Sequence, residues 1–396
     1  LKLKERNKFF TNQKKEMNKK IKALKITVST AFILFVFISC TAQKYYLFIG
    51  TYTNTTSKGI YIYDFNSNTG EAKWLSNTDS VTNPSYLTIS KDYKYVYAVN
   101  ETNGANPGRV TAYKFDKKNA TLHFINTTAS GGDDPCYLAT TADNKWLAVA
   151  NYTSGTATVF PINIDGSVSP YSQLINDSIY KKRGEITTPH VHETVFSPDE
   201  KYLLTPDLGL DKIIVYQFDA AKRTPLILNT QTFATSAKGS GPRHITFSKN
   251  KKFVYLIHEM GGSVTVYDYN KGKLKQVQDI ATAPKNFEGK KDGAEIMISP
   301  DGKFLYASDR GDLNQIVIFS IDPESGKLTL KGTQSSLGIH PRNFIIDPTG
   351  NFLLAANQDS ENIVIFKINK KSGLLTKTGK EIHIPRPVCL QMIPKK

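Results

Sequence analysis

The stretch GPRHITFSKNKKFVYLIHEMGGSVTVYDYNKGKLKQVQDI, residues 241–280, decides the fold. It holds four alternating apolar runs, 244–247, 253–258, 263–269 and 273–280, broken by the turn clusters Lys249-Asn250-Lys251, Gly261-Gly262 and Asn270-Lys271-Gly272. Alternation with period two over short runs bounded by Gly and Asn reads as strands joined by tight turns, here a four-stranded meander.

The unit recurs along the chain. Its first run, ending in a polar residue, reappears as NPSYLTIS, DPCYLATT, HVHETVFS, GPRHITFS, GAEIMIS, HPRNFIID and RPVCLQMI, with ends at Ser90, Thr141, Ser197, Ser248, Ser299, Asp347 and Pro394. Those ends are 51, 56, 51, 51, 48 and 47 residues apart. A period of ~50 residues with four strands per unit is the mark of a propeller blade. The sequence predicts an all-β protein, a seven-bladed β-propeller of four-stranded antiparallel blades. The seventh first-strand run, 388–393, has nothing after it, and its missing partners stand at 45–50, 59–65 and 72–75. Pairing of N- and C-terminal strands in one blade closes the ring.

The 21 Phe and 20 Tyr against 4 Met suit pleated surfaces better than helical bundles. The formal charge of +16 is uneven, since residues 1–42 carry 10 of the Lys/Arg and 2 of the Asp/Glu. No basic stripe interleaved with aromatics follows, so no nucleic-acid partner is expected. Residues 1–42 read as upstream sequence plus a secretory signal, with Met17 as the start, a basic region to Lys25, the apolar run 26–38 and a small-residue end at Ala42. Thirteen apolar residues are short of the ~20 a membrane span needs, so no transmembrane span is expected in the mature chain. Phe37-Ile38-Ser39-Cys40 resembles a relaxed bacterial lipobox, which makes a lipid anchor at Cys40 the alternative to cleavage after Ala42. The expectation is an exported, periplasmic or envelope-associated monomer with one domain, 43–396. Cys136 and Cys389 fall in apolar runs and read as core residues.

In a propeller the first strand lines the central channel and the second runs back, so first-strand starts and second-strand ends share one mouth. Repeat alignment sets Ser85, Cys136, His192, Arg243, Glu295, Arg342 and Val388 at one position. A blade needs none of these charges, and buried charges are costly unless paired. His190, His244 and Glu259 lie beside them, and the second-strand ends, Asn100-Glu101, Asn151-Tyr152, Asp207, His258-Glu259, Asp309-Arg310 and Asn357-Gln358, are equally polar. His190 and His192 share a strand face, as metal ligands can, yet no third ligand is evident and the nearby arginines would repel a cation. No metal or other cofactor is expected. Neither a G-x-S-x-G elbow nor a phosphate-cradling G-x-x-x-x-G-K occurs.

With FIGTYT at 48–53, NPSYL at 83–87, PHVHE at 189–193, GPRH at 241–244, DGKFLYASDRG at 301–311 and HPRNF at 340–344, the chain resembles the seven-bladed lactonase family. That family contains the propeller-type 6-phosphogluconolactonases and the fungal carboxy-muconate cyclases. The resemblance covers essentially all of 43–396. It implies hydrolysis of a lactone such as 6-phospho-glucono-1,5-lactone, with His192, Arg243, Glu295 and Arg342 matching the family's site by motif. One departure is Lys182-Arg183-Gly184-Glu185, where bacterial members often carry Arg-Gln.

Hydrolysis needs an activated water and a place for the oxyanion. Glu295 or His192 is expected as general base, Arg243 and Arg342 as holders of the oxyanion and of an anionic substituent, and His190, His244 and Glu259 as further substrate contacts. The partner is then a small lactone or sugar acid. Two other readings stay open, a non-catalytic exported binding propeller and a muconate-type lactonizing enzyme.

Overall fold

The computed structural model describes residues 2–34, 43–79, 81–181 and 187–395. The chain divides into two units, Leu1–Ala42 and Gln43–Lys396. In the first, a helix spans Lys2–Leu34. Its sequence is free of Gly and Pro and rich in Lys, a good helix former. No described helix is long and apolar enough to cross a membrane. Cys40, Ala42 and residues 182–185 lie outside the described residues.

Seven four-stranded antiparallel sheets make the second unit. Blade 4, the quoted stretch, comprises Pro242–Phe247, Phe253–His258, Ser263–Asn270 and Lys273–Ala281. Blade 7 is the expected clasp: Pro387–Pro394 pairs antiparallel with Lys44–Thr51, from Tyr45↔Pro394 to Thr51↔Pro387, and Tyr61–Asn66 and Glu71–Asn77 complete it. A ring closed this way leaves no free inner edge.

The polar residue that set the repeat alignment has a structural task. Ser90, Ser197, Ser248 and Ser299 donate to Asp92, Asp199, Asn250 and Asp301 at 2.6–2.7 Å, pinning the turn into the second strand. Aromatic and aliphatic side chains fill the space between neighbouring blades. Tyr255 and Tyr306 are fully buried there, and each hydroxyl reaches a carbonyl of the next blade, Gly326 at 3.0 Å and Gly373 at 2.8 Å.

The channel mouth comes from one irregularity repeated in the first strands. Pro242 pairs with His258 but His244 pairs with Ile257, so Arg243 is the extra residue of a β-bulge. The same shift follows Pro135, Gly293 and Pro341. A bulge re-aims side chains, and here two consecutive residues per blade face inward instead of alternating. Before the strand, Asn83, Asp134, Gly241, His340 and Arg386 adopt positive φ, from 40° to 65°, a region that Gly, Asn and Asp tolerate best. This turn points each preceding carbonyl at the amide just past the second strand. Tyr52, Glu101, Tyr152, Leu208, Glu259, Arg310 and Gln358 donate to the carbonyls of Arg386, Asn83, Asp134, His190, Gly241, Asp292 and His340. Seven equivalent hydrogen bonds thus fix the rim.

Candidate active site

The bulges build stacked layers. The extra residues form a middle layer of Ser85, Cys136, His192, Arg243, Ala294, Arg342 and Val388. One residue deeper, Tyr86, Tyr137, Glu193, His244, Glu295, Asn343 and Cys389 form a floor. Pairing therefore corrects one expectation: Ile296 opposes Ala307 as Ile245 opposes Leu256, so Glu295 is the counterpart of His244, and Ala294 is the counterpart of Arg243. Counting back from the closing serine agrees, since Ser299 follows Ala294 by five residues as Ser248 follows Arg243, whereas matching the leading glycines Gly241 and Gly293 moves blade 5 by one residue. Asn100, Asn151, Asp207, His258, Asp309 and Asn357 turn out to be blade fasteners. Asp207 Oδ1 accepts from the amides of His190 and Leu210, both at 2.9 Å, and Asn151 donates to Thr156 Oγ1 at 3.0 Å. Their successors carry the mouth.

The floor is buried and internally bonded. His244 Nδ1 lies 3.3 Å from Glu295 Oε1, Asn343 donates to Glu295 Oε2, and the Ile296 amide donates to Oε1 at 3.0 Å. Glu193 Oε2 accepts from the Ile245 amide at 2.6 Å, and Asn343 Oδ1 accepts from the Leu390 amide at 2.9 Å. Tyr86 and Tyr137 stack with ring centroids 4.0 Å apart, and Tyr137 meets His244 edge-on at 5.2 Å. Burial pushes the Glu193 carboxyl well above the usual carboxylate range in spite of the Ile245 amide. Burial, reinforced by Arg243, brings His244 down to about 4, so its imidazole is neutral near pH 7. A neutral ring with Nδ1–H on Glu295 presents Nε2 as an acceptor, and Arg243 NH1 stands 3.4 Å from that atom.

Above the floor, Arg243 is only 1% exposed. Its Nε donates to Glu259 Oε2 at 3.0 Å and its NH1 to the Ala294 carbonyl at 2.6 Å. Glu259 Oε2 also accepts from Arg310 NH2 at 2.7 Å, and Arg310 Nε donates to Asp292 at 2.7 Å. Burial, with Arg310 and Arg342 adding to it, lowers Arg243 to about 10, still protonated at neutral pH. Burial alone would lower Arg342, but Tyr52 and Glu101 beside it turn the shift upward. Its guanidinium lies 5.5 Å over the Tyr52 ring and 4.0 Å from Glu101 Oε2. The Tyr52 hydroxyl in turn donates to Glu101 Oε1 at 2.8 Å.

His192 belongs to this middle layer. Its ring is 5.1 Å from that of His244 and 5.5 Å, edge-on, from Tyr152. Burial, then the nearby guanidinium charges of Arg243 and Arg342, holds it well below the ordinary histidine range, so it too is neutral near pH 7. Nδ1 has a long contact of 4.0 Å to Cys136 Sγ, while Nε2 has no hydrogen-bond partner among the described residues. His190 stacks on Tyr152 at 4.5 Å with Nδ1 3.0 Å from the Tyr152 carbonyl. The structure thus brings His192, Arg243, His244, Glu295 and Glu259 into one connected cluster with Arg342 nearby, and sets His190 at its edge. Sequence reasoning missed Glu193, Asn343, Tyr86 and Tyr137 as floor residues. The signal available was the Pro that starts most first strands, since Pro cannot donate to the ladder and favours a bulge there.

Fold and site together define a propeller with a charged axial cluster of the kind that handles a small ester. The lactonase, 7-bladed beta-propeller family pattern matches residues 46–392, and the chain belongs to that family. It is an enzyme of the carboxylic ester hydrolase class. It is 38% identical over 351 residues to the 6-phosphogluconolactonase of Formosa agariphila, covering 87% of this chain and 99% of that one. Against the 6-phosphogluconolactonase of Bacillus subtilis the identity is 32% over 356 residues, covering 88% and 99%. The periplasmic gluconolactonase of Pseudomonas aeruginosa superposes with a TM-score of 0.83 at 36% identity, covering 88% of this chain and 99% of that structure.

Proposed function

We propose that the protein hydrolyses a sugar 1,5-lactone to its aldonate, with the channel mouth as the active site and no metal taking part. One observation carries this reading: a neutral imidazole, His192, keeps Nε2 unpaired in the same layer as two guanidinium groups, Arg243 and Arg342. His192 is the general base. Its Nε2 takes the proton of a water as the oxygen attacks the ring carbonyl, and the imidazolium returns the proton to the ring oxygen as the C–O bond breaks. Arg243 faces the developing oxyanion, where a fixed guanidinium stabilises charge that appears only in the transition state. Arg342 holds the carboxylate formed.

Glu295 is a positioning residue rather than the base, because both of its oxygens already accept hydrogen bonds from the floor. It holds His244 in the tautomer that leaves Nε2 toward Arg243. Glu259 aligns Arg243 and Arg310. The relatives' names share a gluconolactone ring and differ by a phosphate, so both lactones are the first substrates to assay. A pH-stat assay with His192→Ala is expected to show kcat lowered ~10²- to 10⁴-fold with KM little changed. A rate equal to wild type sinks the assignment. The basic and apolar runs at 19–38 support action outside the cytoplasm, which fractionation of cells expressing the native gene tests.

A further inference from the structure

A cavity adjoins the arginine cluster at the same mouth, on the side of blades 7, 1 and 2. It has a volume of about 460 Å³ and is lined by Tyr52, Asn54, Glu101, Asn106, Asp134 and Arg386 among others. That volume is within the ~300–1,000 Å³ of small-molecule sites. Tyr52 and Glu101 belong to both places, since Arg342 lies over the Tyr52 ring and beside Glu101. The cavity is therefore within reach of a substituent on a ring held at Arg342.

Its chemistry differs from that of the arginine cluster. Arg386, the one cationic residue of the lining, pairs through NH1 with Asp359 Oδ1 at 3.0 Å, and its Nε is buried. Two carboxylates, Glu101 and Asp134, face the same space, and the described residues of the lining carry a net negative charge. Asp134 is held in place by Asn103 Nδ2, at 2.9 and 3.0 Å, and by Thr153 Oγ1 at 2.6 Å. The side-chain amides of Asn54 and Asn106 have no partner among the described residues. A phosphate is doubly charged and accepts only, so it meets two carboxylates and one cation already paired with Asp359. A sugar hydroxyl donates to a carboxylate and accepts from an amide N–H, which is what the lining offers.

Resting on the lactonase reading above, we infer that this cavity is a subsite for a neutral polyhydroxylated substituent, and that the enzyme acts on unphosphorylated, glycosyl-extended aldonolactones. The free amides of Asn54 and Asn106 and the carboxylate of Asp134 grip the extra sugar, while the lactone ring sits at Arg243 and Arg342.

The test compares glucono-1,5-lactone, its 6-phosphate and the 4-O-glucosyl lactone on wild type and on the Asn54→Ala/Asn106→Ala double variant. Neither amide bonds to the protein, so the variant keeps the fold. The expected result is a kcat/KM for the glycosyl lactone ~10-fold above that for the 6-phosphate, and a KM for the glycosyl lactone raised ~10-fold in the variant with the unsubstituted lactone unchanged, two lost hydrogen bonds being worth about that factor. A preference for the 6-phosphate, or a variant that treats all three lactones as wild type does, overturns the subsite and leaves the lactonase reading standing. If no lactone is turned over, the lactonase reading fails. Calorimetry with the 4-O-glucosyl aldonate then decides the subsite: binding that the variant loses upholds it, and no binding by wild type overturns it.

Discussion

The floor of the channel and the layer above it use the same kinds of residue to opposite ends. In the floor, Glu193, His244, Glu295 and Asn343 make hydrogen bonds to one another or to backbone amides. In the layer above, His192 keeps an open nitrogen, and Arg243 and Arg342 present charge to the mouth. Side chains one residue apart on a bulged strand thus divide the work. Those whose partners are all protein groups hold geometry, and those with a partner missing are free to take a substrate. Mutations in the upper layer should cost rate, and mutations in the floor should cost stability.

After His192, the largest expected effect is at Arg243. Arg243→Lys keeps a positive charge but loses the planar fork that serves Glu259, the Ala294 carbonyl and the substrate together. Loss of one preorganised donor costs ~10²–10³ in kcat, about 3–4 kcal/mol of barrier, and steady-state kinetics on glucono-1,5-lactone read it directly. A Lys variant with wild-type kcat but a lower melting temperature places Arg243 among the fasteners and erases the contrast.

Acidification probes both layers at once. His244 is brought down to about 4 and His192 is depressed by the same burial, whereas in the unfolded chain each takes a proton near 6.5. Below 6.5 the unfolded state binds more protons than the folded one, so stability falls as pH drops, and the His244 share of the loss levels off below about 4. For His244 alone that is about 3 kcal/mol. Denaturant midpoints should decline steadily from pH 6.5 to 4.5, and His244→Asn should flatten that slope. An unchanged slope in the variant means that another group drives the loss. Catalysis moves the other way: a base that stays neutral keeps kcat/KM flat to well below pH 6.5 in the folded enzyme.

The blade count, the terminal clasp and the identities of His192, Arg243 and Arg342 were legible because each follows from a repeat that a single sequence displays. Glu295 was placed in the wrong layer because matching Gly293 to Gly241 moves blade 5 by one residue and side chains on a strand normally alternate. A bulge breaks that alternation, and it depends on backbone pairing with the second strand, which residue identity alone does not reveal. Likewise, Asn100, Asp207 and their equivalents look as polar as the rim in sequence. Only their hydrogen bonds back into the blades separate them from Glu101 and Glu259.

The smallest effects lie deepest and separate two acids that sequence would treat alike. Glu295 accepts at both oxygens from three donors, so Glu295→Gln puts an amide N–H against a donor and should cost about 2 kcal/mol of stability. Released from Glu295, His244 loses its fixed tautomer, and kcat should fall while KM holds. Burial pushes the Glu193 carboxyl well above the usual carboxylate range, toward its neutral form, with one oxygen on the Ile245 amide. Glu193→Gln retains that acceptor and exchanges one neutral group for another, so it should shift stability at pH 7 by under about 0.5 kcal/mol. Urea melts of the two variants, run together, decide the matter. Equal losses mean that Glu193 is charged in the folded protein, and then the floor carries two negative charges where one neutral acid and one hydrogen-bonded carboxylate are assigned.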